Sequence, residues 1–228
     1  MAVDDIYTKA LLHMNGANGG TTFIDESGKT WTRAGTAQIS TARYKFGGAS
    51  MLSDGNGDYI YGNGSADFAF GTGDFTIDFW LYITSGFNIF DFRPVGTNGD
   101  YINAVWNGTN IRLRNSTTYI LDGTITVSAS AWTHVEISRA GTTLRLFVNG
   151  VLDNSVTNST NWLVGANRPL ISGESYNAGV SGINGNYDEF RISKGIARHT
   201  AAFIPNTREY GQRVPKAGGV FLSDFGVM

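Results

Sequence analysis

At 228 residues the chain is long enough to bury one sizeable core, and a formal net charge of −2 removes the basic footprint that nucleic acids or anionic membranes require. With no cysteine it has neither a disulfide framework nor a thiolate metal site. The 30 glycines, 13% aromatic residues and only 16% charged residues describe a turn-rich β protein whose surface polarity rests on Asn, Thr and Ser.

Met1–Ile6 has no basic start and no apolar run of leader length, so no targeting segment is expected and no stretch approaches a membrane span. The first strand is expected at Ala10–Met14, before Asn15-Gly16 and a turn at Asp25–Gly28. Runs rich in β-branched and aromatic residues follow at Phe75–Ile83, Tyr101–Trp106, Ile111–Arg114, Thr133–Ser138 and Leu144–Val148. Between them recur Asn-Gly or Asp-Gly pairs, such as Asn107-Gly108, Asp122-Gly123 and Asn149-Gly150, which tolerate the positive φ of tight hairpin turns. Alternation sets Val135 and Ile137 on one face with His134 and Glu136 on the other, and Leu144, Leu146 and Val148 opposite Arg145 and Phe147. No helix-period stretch of useful length occurs. The last segment, 206–228, holds Gly211, Pro215, Gly218 and Gly219 around the apolar Val220, Phe221, Leu222 and Phe225. It reads equally as a frayed terminus or as a docking arm that folds onto a neighbour.

The order and spacing of Phe46–Ser50, Phe75–Trp80, Trp132–Gly150 and Tyr187–Arg198 resemble the laminin-G-like, concanavalin A-like lectin/glucanase sandwich of the bacterial and phage type. The resemblance covers about Leu11 to Pro205. It implies an all-β, two-sheet antiparallel jelly-roll sandwich over 10–205, with an N-terminal extension at 1–9 and a tail at 206–228. It also implies that the first strand lies near the last, bringing Asp25 and Asp188 towards one end, where with carbonyls near Asn15-Gly16 they would resemble a structural calcium site. The fold hosts lectins, hydrolases and structural modules, so the site residues must decide.

Catalysis is not expected. The Glu-x-Asp-x-Glu strand that places carboxylates in one cleft is absent, and Glu26, Glu136, Glu174, Glu189 and Glu209 are scattered. His13, His134 and His199 are dispersed too, without a nucleophile motif. Asp54–Asp58 has the oxygen spacing of a calcium loop but lacks its closing Glu, so a self-capped turn is preferred. For sugars, Tyr101, Trp106, Trp162 and Tyr176 are candidate platforms, and Asn107 and Arg112 candidate hydroxyl partners; Tyr119 and Asn103 belong to the same set. Core or interface packing competes as a reading of every ring. The expected function is a non-catalytic virion structural protein: a capsid decoration, tail or fibre component on the virion surface. It would be a homo-oligomer docked to other capsid or tail proteins, and able to bind host or environmental glycans. The alternative is a stand-alone extracellular lectin or adhesion module.

Overall fold

The computed structural model describes residues 5–177 and 179–211. Fifteen strands form among them: β1 (Thr8–Leu12), β2 (Thr32–Ala34), β3 (Gln38–Ser40), β4 (Ser50–Asp54), β5 (Tyr59–Tyr61), β6 (Phe75–Gly86), β7 (Asn88–Asp91), β8 (Ile102–Trp106), β9 (Ile111–Asn115), β10 (Thr118–Asp122), β11 (Trp132–Ala140), β12 (Thr143–Val148), β13 (Val151–Thr157), β14 (Leu170–Ile171) and β15 (Ile183–Lys194). They make two antiparallel sheets. One runs β13-β12-β11-β6-β15-β4-β3, with β1 also on β15; the other runs β10-β9-β8-β7-β14-β5-β2. The chain is therefore the all-β, two-sheet sandwich that the sequence implies.

Period-two alternation builds the core. Phe75, Ile77, Phe79, Leu81 and Ile83 of β6 point between the sheets, with Val135 and Ile137 of β11 and Leu144, Leu146 and Val148 of β12. Facing them are Phe90, Ile102, Ala104, Trp106, Ile111 and Leu113. Phe79 ties the sheets together, stacking on Phe190 at 5.2 Å and meeting Phe90 edge-on at 6.1 Å.

β15 is the organising strand. Its whole length pairs with β6 along one edge, while β4 (against Asn184–Tyr187) and β1 (against Phe190–Ser193) share the other. The first strand thus lies beside the last, as the resemblance implies. Between the two partners the register against β6 slips by one residue, and Glu189 adopts φ +52. This is a β-bulge, the device that re-aims side chains locally.

Among the described residues no strand follows β15. Residues 195–211 instead strap across the outer face of the eight-stranded sheet. The strap is pinned by Thr76 and Ser138 hydroxyls donating to the Ile196 and His199 carbonyls, by the Phe203 N–H donating to the Gly150 carbonyl, and by Trp80 Nε1 donating to Asn206 at 3.0 Å. Asn149 and Gly150 form the hairpin turn with φ +50 and +77, and a Cβ on Gly150 would collide with the Phe203 carbonyl. The segment expected to begin a tail at 206 therefore still covers the sheet as far as Gly211. Val220, Phe221, Leu222 and Phe225 lie outside the described residues. No helix among the described residues is long and apolar enough to cross a membrane.

Candidate functional site

On the seven-stranded sheet, the side chains that alternate with the core ones face outward. The register sets Asn103 opposite Arg114 and Arg114 opposite Tyr119; the next row aligns Val105, Arg112 and Asp122. Arg114 donates from Nε to Asn103 Oδ1 at 2.6 Å and from Nη2 to Asn88 Oδ1 at 3.0 Å. Arg112 lays its guanidinium 3.5 Å from the centre of the Tyr119 ring and binds Asp122 through Nε. That ring remains 40% exposed. Beside this row, Arg93 grips Asp91 through Nε and Nη2 at 2.9 and 2.7 Å and reaches Glu174 at 2.9 Å, with Tyr176 5.7 Å away. Burial and the neighbouring Arg93 charge both lower the Arg114 pKa. The result is an amide-rich face whose carboxylates pair with Arg93 and Arg112, with Arg114 held by amides and the Tyr119 ring lying against the Arg112 guanidinium.

Of the expected sugar contacts, Arg112 and Tyr176 lie on or beside this face, with Tyr119 and Asn103. Trp106 and Trp162 do not: both are core side chains, and Trp106 Nε1 donates inward to the Val127 carbonyl. Neither presents a ring to a ligand, which corrects the reading of Trp106 and Trp162 as sugar platforms in favour of core packing. Asn107 caps that turn, its Oδ1 accepting from Thr109 and Asn110. Tyr101 is half-buried and packs against the core edge.

The outer face of the eight-stranded sheet carries the carboxylates. Asp78 on β6 and Glu136 on β11 are cross-strand neighbours, and both are fully buried. Arg191 binds Asp78 with Nε at 3.1 Å and Nη2 at 2.9 Å, and the Tyr210 hydroxyl from the strap donates to the same carboxylate. His134 lies 3.3 Å from that hydroxyl, while His199, stacked on Phe203 at 3.6 Å, meets Glu136 at 2.7 Å. Glu189, aimed by the bulge, takes His13 at 2.6 Å and the Tyr210 N–H at 2.7 Å. All three histidines, dispersed in sequence, thus sit beside carboxylates. Burial raises Glu136; it works against the charge on Asp78 too, but Arg191 outweighs it and keeps Asp78 low. The strap closes this face, so the carboxylates neutralise partners of the same chain and are withheld from a substrate.

Asp25 and Asp188 do not share a partner. Asp25 accepts from the Leu11 and Ser27 N–H groups on Oδ1 and from Trp31 Nε1 on Oδ2, which makes it the hub of its turn. Asp188 Oδ2 accepts from the Lys45 and Phe46 N–H groups, but its buried Oδ1 has no hydrogen-bond partner among the described residues, and burial raises its pKa to about 7. An orphaned, desolvated carboxylate oxygen fits a hard cation; the Asp25 oxygens already accept three hydrogen bonds from the chain. Nearby, ligand atoms of His13, Glu189 and Glu209 fall within 4.8 Å of one another. Asp54–Asp58 is a turn: Asp54 Oδ1 accepts from Asn56 and Asp58 holds Thr36 and Asp54.

A family model described as Concanavalin A-like lectin/glucanases superfamily (Laminin_G_3) matches residues 54–199. Similar solved structures include the binding domain of Paraclostridial Mosquitocidal Protein 1, with TM-score 0.63 and 16% identity over 84% of this chain and 50% of that one. Domain 4 of AbnA, an extracellular arabinanase from Geobacillus stearothermophilus solved with arabinotriose, gives TM-score 0.58 and 22% identity over 83% of this chain and 94% of that one. The receptor-binding domain of botulinum neurotoxin C/D mosaic serotype gives TM-score 0.61 and 16% identity over 86% and 49%. The chain spans half the length of the toxin domains, and at these identities the likeness is one of fold. A search of curated protein sequences finds no match.

Proposed function

Because the chain belongs to the Laminin_G_3 family of concanavalin A-like lectin/glucanase domains, we propose that it is a non-catalytic glycan-binding module whose ligand lies across the outer face of the seven-stranded sheet. The observation that carries this reading is the 40%-exposed Tyr119 ring with the Arg112 guanidinium 3.5 Å from its centre, in register with Arg114 and Asn103. An aromatic ring meets the C–H face of a sugar, while guanidinium and amide groups pair with its hydroxyls. The arabinanase domain seen with arabinotriose and the toxin receptor-binding domains support a binding role for this fold. The carboxylates that would serve hydrolysis are covered by the chain's own strap. Asp188, through Oδ1, is the proposed calcium ligand, with a structural role.

The module acts at a surface outside the cell. Display on a virion, docked through the segment containing Val220, Phe221, Leu222 and Phe225, is the finer form of this reading, and an extracellular adhesion module is its alternative. Sedimentation of a native lysate separates them: co-migration with a megadalton particle supports the virion, and recovery at low mass supports the free module.

Glycan-array binding of the intact chain, followed by titration calorimetry, tests the activity. Tyr119→Ala is expected to weaken binding about tenfold. A wild-type protein that binds nothing on the array, or a Tyr119→Ala variant that binds unchanged, overturns the assignment. Turnover of a bound polysaccharide would mark catalysis instead.

A further inference from the structure

We infer that the glycan bound on the seven-stranded sheet carries an acidic group, a carboxylate or sulfate, and that Arg114 receives it. This rests on the glycan-binding reading of the same face and specifies the ligand class. The argument begins with how each cation there is compensated. Arg93 is held by Asp91 and Glu174, and Arg112 by Asp122. Arg114 is only 8% exposed, yet among the described residues no carboxylate pairs with it. Its two hydrogen bonds go to neutral amide oxygens, those of Asn103 and Asn88. A buried guanidinium without a counter-charge is an expensive arrangement, and it becomes favourable once an anion enters.

The two asparagines are not free to turn. Asn103 Nδ2 donates to the Ser116 carbonyl at 2.8 Å and Asn88 Nδ2 donates to the Ser181 carbonyl at 3.1 Å, which fixes both Oδ1 atoms on Arg114. They hold the guanidinium by Nε and by Nη2, while Nη1 makes no hydrogen bond among the described residues. The fork of Nη1 and Nη2 is the edge that matches a carboxylate or sulfate bidentately. Tyr119 stands directly opposite Arg114 in the register, so a ring stacked on Tyr119 brings its substituent to that fork. A neutral sugar would need none of this: amides alone satisfy hydroxyls.

The test uses the full chain and matched pairs that differ only in charge: trigalacturonate against its methyl ester, and N-acetyllactosamine against its sialylated and its sulfated forms. We expect at least one acidic member to bind about tenfold more tightly than its neutral counterpart. That preference should shrink as salt rises from about 50 to 500 mM. In Arg114→Gln the acidic-to-neutral ratio should collapse towards one, and Arg114→Lys should retain part of it. The carboxylated and sulfated arms distinguish the two sources of the anion. Equal binding of acidic and neutral members, or a ratio unchanged in Arg114→Gln, overturns the acidic specificity and leaves the lectin reading standing. Absence of binding to every member overturns both. If Arg114→Gln does not fold, Arg114→Lys and the wild-type salt dependence decide.

Discussion

His134 is 1% exposed between Trp80 and Phe203, and burial lowers its pKa to about 4. Asp78 pulls the other way, while Arg191, His199 and Lys45 reinforce burial. In the unfolded chain the ring titrates near 6.5, so the folded state binds fewer protons between these values. The contribution of the neutral ring to stability is therefore complete above pH 6.5 and lost as pH falls through 6.5 towards 4, on the order of 3 kcal/mol in total. Glu136, Glu189 and Asp188, raised by burial, act in the opposite sense, so the variant comparison isolates the histidine. Thermal melts across that range should show a flatter acid limb for His134→Phe, which keeps a ring between Trp80 and Phe203; an identical slope would assign the acid loss elsewhere. The inward face of Trp106 was legible in the sequence, because it shares its parity with Ile102 and Ala104; the turn that follows was the weaker signal. The His13–Glu189 pair was not legible, since 176 residues separate its members and nothing local announces it.

At the level of elements, β6, β8, β9, β11 and β12 could be read directly, because hydrophobic period and turn chemistry agree there. The bulge in β15 could not. Glu189 adopts a conformation usually left to Gly or Asn, and only the competing demands of β1, β4 and β6 on one strand explain it. The strap was illegible for a related reason: residues 195–211 lack any period, and their order comes from groups on β6, β11 and β15. Tyr210 closes it, stacking 3.7 Å from Arg191 and donating to Asp78. Tyr210→Ala is expected to cost on the order of 2 kcal/mol in urea unfolding, since it removes a packed ring and leaves a buried acceptor short of a donor. Ending the chain before Asn206 should cost more, whereas ending it after Gly211 should leave this face intact. Equal midpoints for the two truncations would mean that the strap is dispensable.

For the whole molecule, two sheets around a shared aromatic core follow from composition and turn spacing, and the family match rests on the same segments. The candidate binding face was legible in its parts and not in its assembly: Arg112 and Tyr176 are named by residue type, but only the pairing of β8, β9 and β10 sets Arg112 beside Tyr119. The proposed calcium site belongs to this scale, because Asp188 sits where β15, β4 and the Lys45–Phe46 turn meet. Chelation at neutral pH should lower the melting temperature by several degrees, as expected for loss of a ligand that binds only the native state. Asp188→Asn should abolish that response, and a wild-type melt indifferent to chelator and to added calcium would remove the metal from this account.

The strap also decides where this sandwich can be joined to another polypeptide. A border drawn by counting strands falls after Lys194 and keeps every ladder of both sheets. It discards His199 from Glu136 and the Tyr210 donors from Asp78 and Glu189, leaving Asp78 with Arg191 and Glu189 with His13, and a graft cut there would uncover an acidic, aromatic face. Such a face is sticky and sensitive to acid. A seam placed after Gly211 carries its own cover along, so the portable unit is longer than its strands.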